Sequence, residues 1–199
     1  MGKFNGFSCA QLPVVRKAYQ ESRRVLESIV SGKLGSEQFR QVFQRVMGGG
    51  AAARAAERTL EETLKVMHLR IAGQSFDVTW EPTFTNTNAD MLSGNYAASG
   101  GGSSHTTFID QLRQDGQAPA RLPMRLGPNF FSMPFRHLFE QSQVETFLHE
   151  LSHHSVGTID DSTSGNCYGW SGVCHVKGLG PDRAVRNAEN VGFFCLWLG

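Results

Sequence analysis

The chain has 199 residues, with 19 Lys and Arg against 18 Asp and Glu, for a net charge of +1. Acids and bases are mixed along it, which argues against a nucleic-acid reader built on a basic face, and no apolar run approaches the roughly 18 residues of a membrane span. A hydrophobic content of 40% is enough for one packed domain, alone or with a helical extension.

The opening stretch, MGKFNGFSCAQLPVV, has one early Lys and no sustained apolar core, so it does not read as a signal peptide. The protein stays inside, or a signal was removed, or export uses another route. We expect export without a visible signal peptide, with a cytoplasmic location left open. Residues 11 to 31 carry Val15, Ala18, Tyr19, Val25, Leu26, Ile29 and Val30 at mostly helical spacing. A second helix is expected from Ser36 to Met47. After Gly48-Gly49-Gly50, the Ala-, Leu-, Glu- and Arg-rich run to Ile71 predicts a third. This helical first third carries no visible chemistry and reads as a scaffold or a partner surface.

Phe76 to Trp80 alternates and predicts a strand. Residues 83 to 105 are rich in Thr, Asn, Ser and Gly and predict a loop. Residues 106 to 113 fit a strand or a short helix. Met124 to Gly127 predicts a short strand, and Phe130-Phe131 an apolar anchor. Ser142-Gln143-Val144-Glu145 is a capping box, S-x-x-E, opening a helix that Gly157 can stop. A Gly/Ser-rich loop is expected from Ser162 to Gly180. Pro181 and Asp182 open one last helix through Leu198.

The helix after Ser142 contains His149-Glu150-Leu151-Ser152-His153, an H-E-x-x-H pattern. Positions i and i+4 share one helix face, so two imidazoles can meet one ion there. Neutral imidazole nitrogens suit zinc. Glu150 projects beside the metal and can take a proton from a water held by it. A catalytic zinc needs a third ligand from the protein. Asp160 can swing back after the turn at Gly157. His154 competes, but it lies about 100° round the helix from His153. Asp161 and Glu189 also compete, and Asp161 could instead orient a ligand histidine from behind. His68, His105, His137 and His175 stand alone and read as ordinary histidines. Cys9, Cys167, Cys174 and Cys195 contain no C-x-x-C. Cys167 and Cys174 could pair around a short loop, and four reduced thiols are an equal alternative.

His149-Glu150-x-x-His153 followed by Gly157-Thr158-x-Asp160 resembles the aspzincins, the family of deuterolysin and the lysine-specific metalloendopeptidases. Phe130-Phe131 is similar to the apolar segment before the family's active-site helix. Asn187-Ala188-Glu189-Asn190 is similar to its closing Asn-Ala-Asp-Asn run. The resemblance implies a zinc endopeptidase acting on protein or peptide substrates, with zinc on His149, His153 and Asp160 and Glu150 as general base. It implies that Tyr168 donates to the oxyanion, across a longer loop than the family has. It further implies that Glu189 reads a substrate ammonium, although Gly192 stands where the second acid of that pair belongs. The expected fold is α+β. A helical N-terminal region, residues 1–72, packs on the same domain as a zincin-like catalytic region, residues 73–199, which has an active-site helix and a small antiparallel or mixed sheet. Two rival readings remain. One is a toxin-like effector whose N-terminal helices bind a delivery or partner protein. The other is a zinc-bound module without hydrolysis.

Overall fold

The computed structural model describes residues 3–73, 76–80, 82, 89–91, 122–161 and 168–199. Helix α1 (Gln11–Gly32) buries Val15, Ala18, Tyr19, Ser22, Val25, Leu26 and Ile29, one face at steps of three and four. Helix α2 (Glu37–Val46) begins at Ser36, whose side chain accepts from the Phe39 N–H at 3.1 Å. That cap satisfies one of the four orphan donors of a helix start. Helix α3 (Ala53–Ala72) turns Ala56, Leu60, Leu64, Met67 and Ile71 inward.

These faces meet two central helices, α5 (Gln143–Val156) and α8 (Ala188–Leu198). Helix α8 is buried on nearly every side, from Ala188 to Leu196, as its unbroken apolar run from Val191 requires. Phe39 packs edge-on against Phe194 at 5.1 Å, and Tyr19 against Phe147 at 5.9 Å. The Tyr19 hydroxyl, raised in pKa chiefly by burial, donates to the Ile71 carbonyl at 2.9 Å. The helical first third is therefore packed directly on the helix that carries the H-E-x-x-H motif.

A small sheet completes the layer, with strands β1 (Lys3–Asn5), β2 (Phe76–Trp80), β3 (Ala89–Met91) and β4 (Leu122–Leu126) in the order β1-β2-β4-β3. Its body is parallel: β1 pairs with β2 and β2 with β4 in the same direction. Only β3 runs antiparallel, against β4. Parallel neighbours need a long crossover, and α1 to α3 supply it between β1 and β2. Strand β1 spans only three residues, too few to leave a periodic trace in sequence.

Three expected boundaries shift. Helix α4 (Pro128–Ser132) occupies the Phe130-Phe131 anchor, with Pro128 at its first turn and Phe130 buried. The expected loop from Ser162 to Gly180 contains helix α6 (Gly169–Gly178), whose Val173 and Val176 are buried. The single last helix is two, α7 (Pro181–Ala184) and α8. The break between them is used by Ile159, whose N–H donates to the Arg186 carbonyl at 2.8 Å and whose carbonyl accepts from the Ala188 N–H at 3.0 Å. Residues 106–113 and most of 83–105 lie outside the described residues, as does Cys167. Cys9, Cys174 and Cys195 are free thiols.

Helix α5 starts and stops as the sequence predicts. The Ser142 side chain accepts from the Glu145 N–H at 3.3 Å, and Ser142→Ala is expected to cost about 1 kcal/mol in a denaturant titration. Gly157 closes the helix in the left-handed region, at φ 69°. A Cβ there would meet nothing within 4 Å, so Gly157→Ala is penalised by the backbone alone. We expect about 1–2 kcal/mol of destabilisation, measured as a lowered denaturation midpoint.

Candidate metal centre

Helix α5 presents His149 and His153 on one face, with Nε2 atoms 3.1 Å apart. Gly157 reverses the chain, and the pinned backbone of Ile159 delivers Asp160 to the same point. Its Oδ1 lies 3.2 Å from His149 Nε2 and 3.5 Å from His153 Nε2. Four ligands at ~2.0 Å around a tetrahedral zinc are about 3.3 Å from one another. The three edges of this triangle match that spacing.

The tautomers also match. His153 Nδ1 lies 2.6 Å from the Thr158 carbonyl, which can only accept, so Nδ1 carries the proton and Nε2 faces inward. His149 Nδ1 donates in the same way to Glu189 Oε2 at 2.8 Å. Asp160 Oδ1 is buried and accepts no hydrogen bond, so its contacts with the imidazoles are ion-pair distances without hydrogen-bond alignment. Two inward nitrogens and one unpartnered carboxylate oxygen form a donor set suited to a divalent cation. The residues present fit zinc.

Charge at this point is concentrated. Burial opposes the charged form of His149, but Asp160, Glu189 and Glu150 outweigh it and raise its pKa well above the ordinary value. Burial also works against the Asp160 carboxylate, but the two imidazoles dominate and hold its pKa far below the usual range. The near-buried Glu150 places Oε1 4.0 Å from His149 Nε2, on the side where the donor atoms converge.

Other residues singled out in sequence fall as follows. The Tyr168 hydroxyl donates to Asp160 Oδ2 at 3.0 Å, and its ring lies over His149 with centroids 6.2 Å apart. Glu189 is fully buried. Beyond its bond to His149, it accepts from the Gly169 N–H through Oε1 at 2.5 Å, so both oxygens serve the protein. Asp161 pairs bidentately with Arg183, at 2.7 and 2.9 Å, and its N–H donates to Asn187 Oδ1. The partners of the imidazole Nδ1 atoms are thus Glu189 and the Thr158 carbonyl rather than Asp161. His154 belongs to neither close group of metal-capable side chains among the described residues.

Sequence reasoning missed two contributors. A backbone carbonyl such as that of Thr158 has no residue signature. Glu145 reads in sequence as the reciprocal half of a capping box, but its carboxyl turns inward, 3.9 Å from His149 Nδ1, with neither oxygen hydrogen-bonded.

Residues 119–195 match the model of a family described as lysine-specific metallo-endopeptidase, the aspzincins. That segment is similar to the aspzincins. The matched segment contains all of His149, Glu150, His153, Asp160, Tyr168 and Glu189. A zinc peptidase from Grifola frondosa has a similar fold, with a TM-score of 0.66, 18% sequence identity, and coverage of 95% of this chain and 96% of that one. The fold likeness therefore extends past the matched segment into the helical first third. No curated protein matches the chain by sequence.

Proposed function

We propose that this protein is a zinc-dependent endopeptidase in which His149, His153 and Asp160 hold the metal. The observation that carries the reading is the triangle of Nε2, Nε2 and Oδ1 atoms at 3.1, 3.2 and 3.5 Å. Zinc, when bound, supplies a Lewis acid that polarises a peptide carbonyl and makes a water nucleophilic near neutral pH.

The protein's own residues divide the remaining work. Glu150 removes the proton from the attacking water and passes it to the leaving amine. Glu189 and the Thr158 carbonyl hold the imidazoles in the tautomer that turns both Nε2 lone pairs inward. Tyr168 exchanges its bond to Asp160 Oδ2 for the developing oxyanion, a donation whose removal from an active site costs about 10²–10³-fold in kcat. Substrate is an extended peptide laid beside the sheet.

The test is metal removal. Purified protein is expected to carry one zinc per chain and to cleave a casein-type substrate. Chelation should abolish cleavage, and added zinc should restore it. Cleavage that persists in fully chelated protein would overturn the proposal.

A further inference from the structure

Glu145 lies one turn before His149 on α5, with its side chain 1% exposed and neither carboxyl oxygen hydrogen-bonded. Buried polar groups are rarely left without partners. This one had an alternative, the Ser142 N–H that a capping box offers, and does not use it. Its carboxyl is directed toward α8, where residue 192 is glycine. A Cβ at Gly192 would come within 2.5 Å of Glu145 Oε1 and 3.3 Å of the Glu145 carbonyl oxygen. Gly192 is not there for backbone freedom, because it sits inside a regular helix. It leaves room for the Glu145 carboxyl.

Glu145, His149 and Glu189 form a buried group, with one ligating atom of each within 4.8 Å of the others. Within it Glu189 is held from one side by the Gly169 N–H and flanked on another by Glu145. We propose that Glu145 and Gly192 are a matched pair that positions the Glu189 carboxylate against His149 Nδ1, and so aims His149 Nε2 at the metal. Glu145 is then a positioning residue acting through shape: it fills the space under α8 that Gly192 opens. A side chain at 192 would drive the carboxyl toward Glu189 and His149. This inference rests on the zinc reading of the site, so the experiment first establishes that the parent protein binds one zinc.

Zinc affinity of the full chain would be measured by chelator competition, and ligand geometry by the visible spectrum of the cobalt-loaded protein. Glu145→Ala is expected to weaken zinc about 10–100-fold and to shift the cobalt bands, whereas Glu145→Gln, with the same shape, stays within about threefold of the parent. Gly192→Ala should weaken zinc about tenfold, yet in the Glu145→Ala background it should add less than about twofold, because the colliding carboxyl is gone and only the 3.3 Å approach to the Glu145 carbonyl oxygen remains. The proposal is overturned if Glu145→Ala binds as the parent does, if Glu145→Gln falls as far as Glu145→Ala, or if the two losses multiply. Should Gly192→Ala fail to fold, the comparison of Glu145→Ala with Glu145→Gln decides alone. A parent that binds no zinc would sink the zinc reading itself, which is a different failure.

Discussion

Glu150→Gln is expected to keep stoichiometric zinc and to cleave protein substrate about 10²–10⁴-fold more slowly than the parent. The substitution preserves shape and removes only the base. Glu150 lies 4.0 Å from His149 Nε2, close enough to reach a water at the point where the donor atoms converge and outside the triangle that those atoms define. Metal content should therefore stay at one per chain while turnover falls. Cleavage at the parent's rate would remove Glu150 from the chemistry, and loss of the zinc would make it a ligand instead.

Asp160→Ala is expected to weaken zinc by at least about 100-fold, since it deletes a ligand rather than a residue behind one, for which losses of 10–100-fold are usual. No neighbour replaces it readily: Asp161 is committed to Arg183, and Glu189 to His149 and Gly169. Retention of stoichiometric zinc at nanomolar protein would exclude Asp160 as the third ligand.

His149 and Asp160 together make a pH prediction. Despite burial, the carboxylates around His149 raise its pKa well above the ordinary value, so at pH 7 the zinc-free protein carries a proton there that zinc must displace. Apparent zinc affinity should then rise about tenfold per pH unit while pH stays below the folded pKa of His149. The stability of the chelated protein follows from the two signs. A raised histidine contributes fully below its unfolded pKa, about 6.5, and the contribution is lost as pH rises through the folded value. A depressed aspartate contributes above its unfolded pKa, about 3.9, and its contribution is lost as pH falls through the folded value. The ion pair of His149 with Asp160 should therefore stabilise zinc-free protein most between about pH 4 and 6.5, and Asp160→Ala should flatten that maximum in a series of denaturant titrations.

Helix α5 shows why part of the site was legible. His149 and His153 share a face because of the helix repeat alone, and Ser142 and Gly157 bound the helix through contacts with their own neighbours in sequence. Asp160 was legible as a candidate because it follows the turn closely, but choosing it over Asp161 was a tertiary matter. The parallel bridge of Ile159 to Asn187 sets the facing of both residues: Asp160 turns to the histidines and Asp161 to Arg183. Helix α6 reads as loop in the sequence because its Gly- and Ser-rich opening has little helix propensity. Packing of Val173 and Val176 against the core overrides that preference. The break before α8 leaves no local signal because it is created by Ile159, almost 30 residues away in sequence.

By itself the sequence determined the metal-capable helix, its two ends, the carboxylate beside the first imidazole and the helical character of the first third. All of these depend on interactions within a few residues, which spacing records. Tertiary structure alone decided that Glu189 serves His149, that Glu145 leaves its cap for the interior, and that three strands run parallel. Each of those outcomes depends on which surfaces of distant segments meet when α5 packs on α8 and the long helical crossover closes the sheet. Local propensity does not encode such meetings; burial of the shared apolar faces selects them.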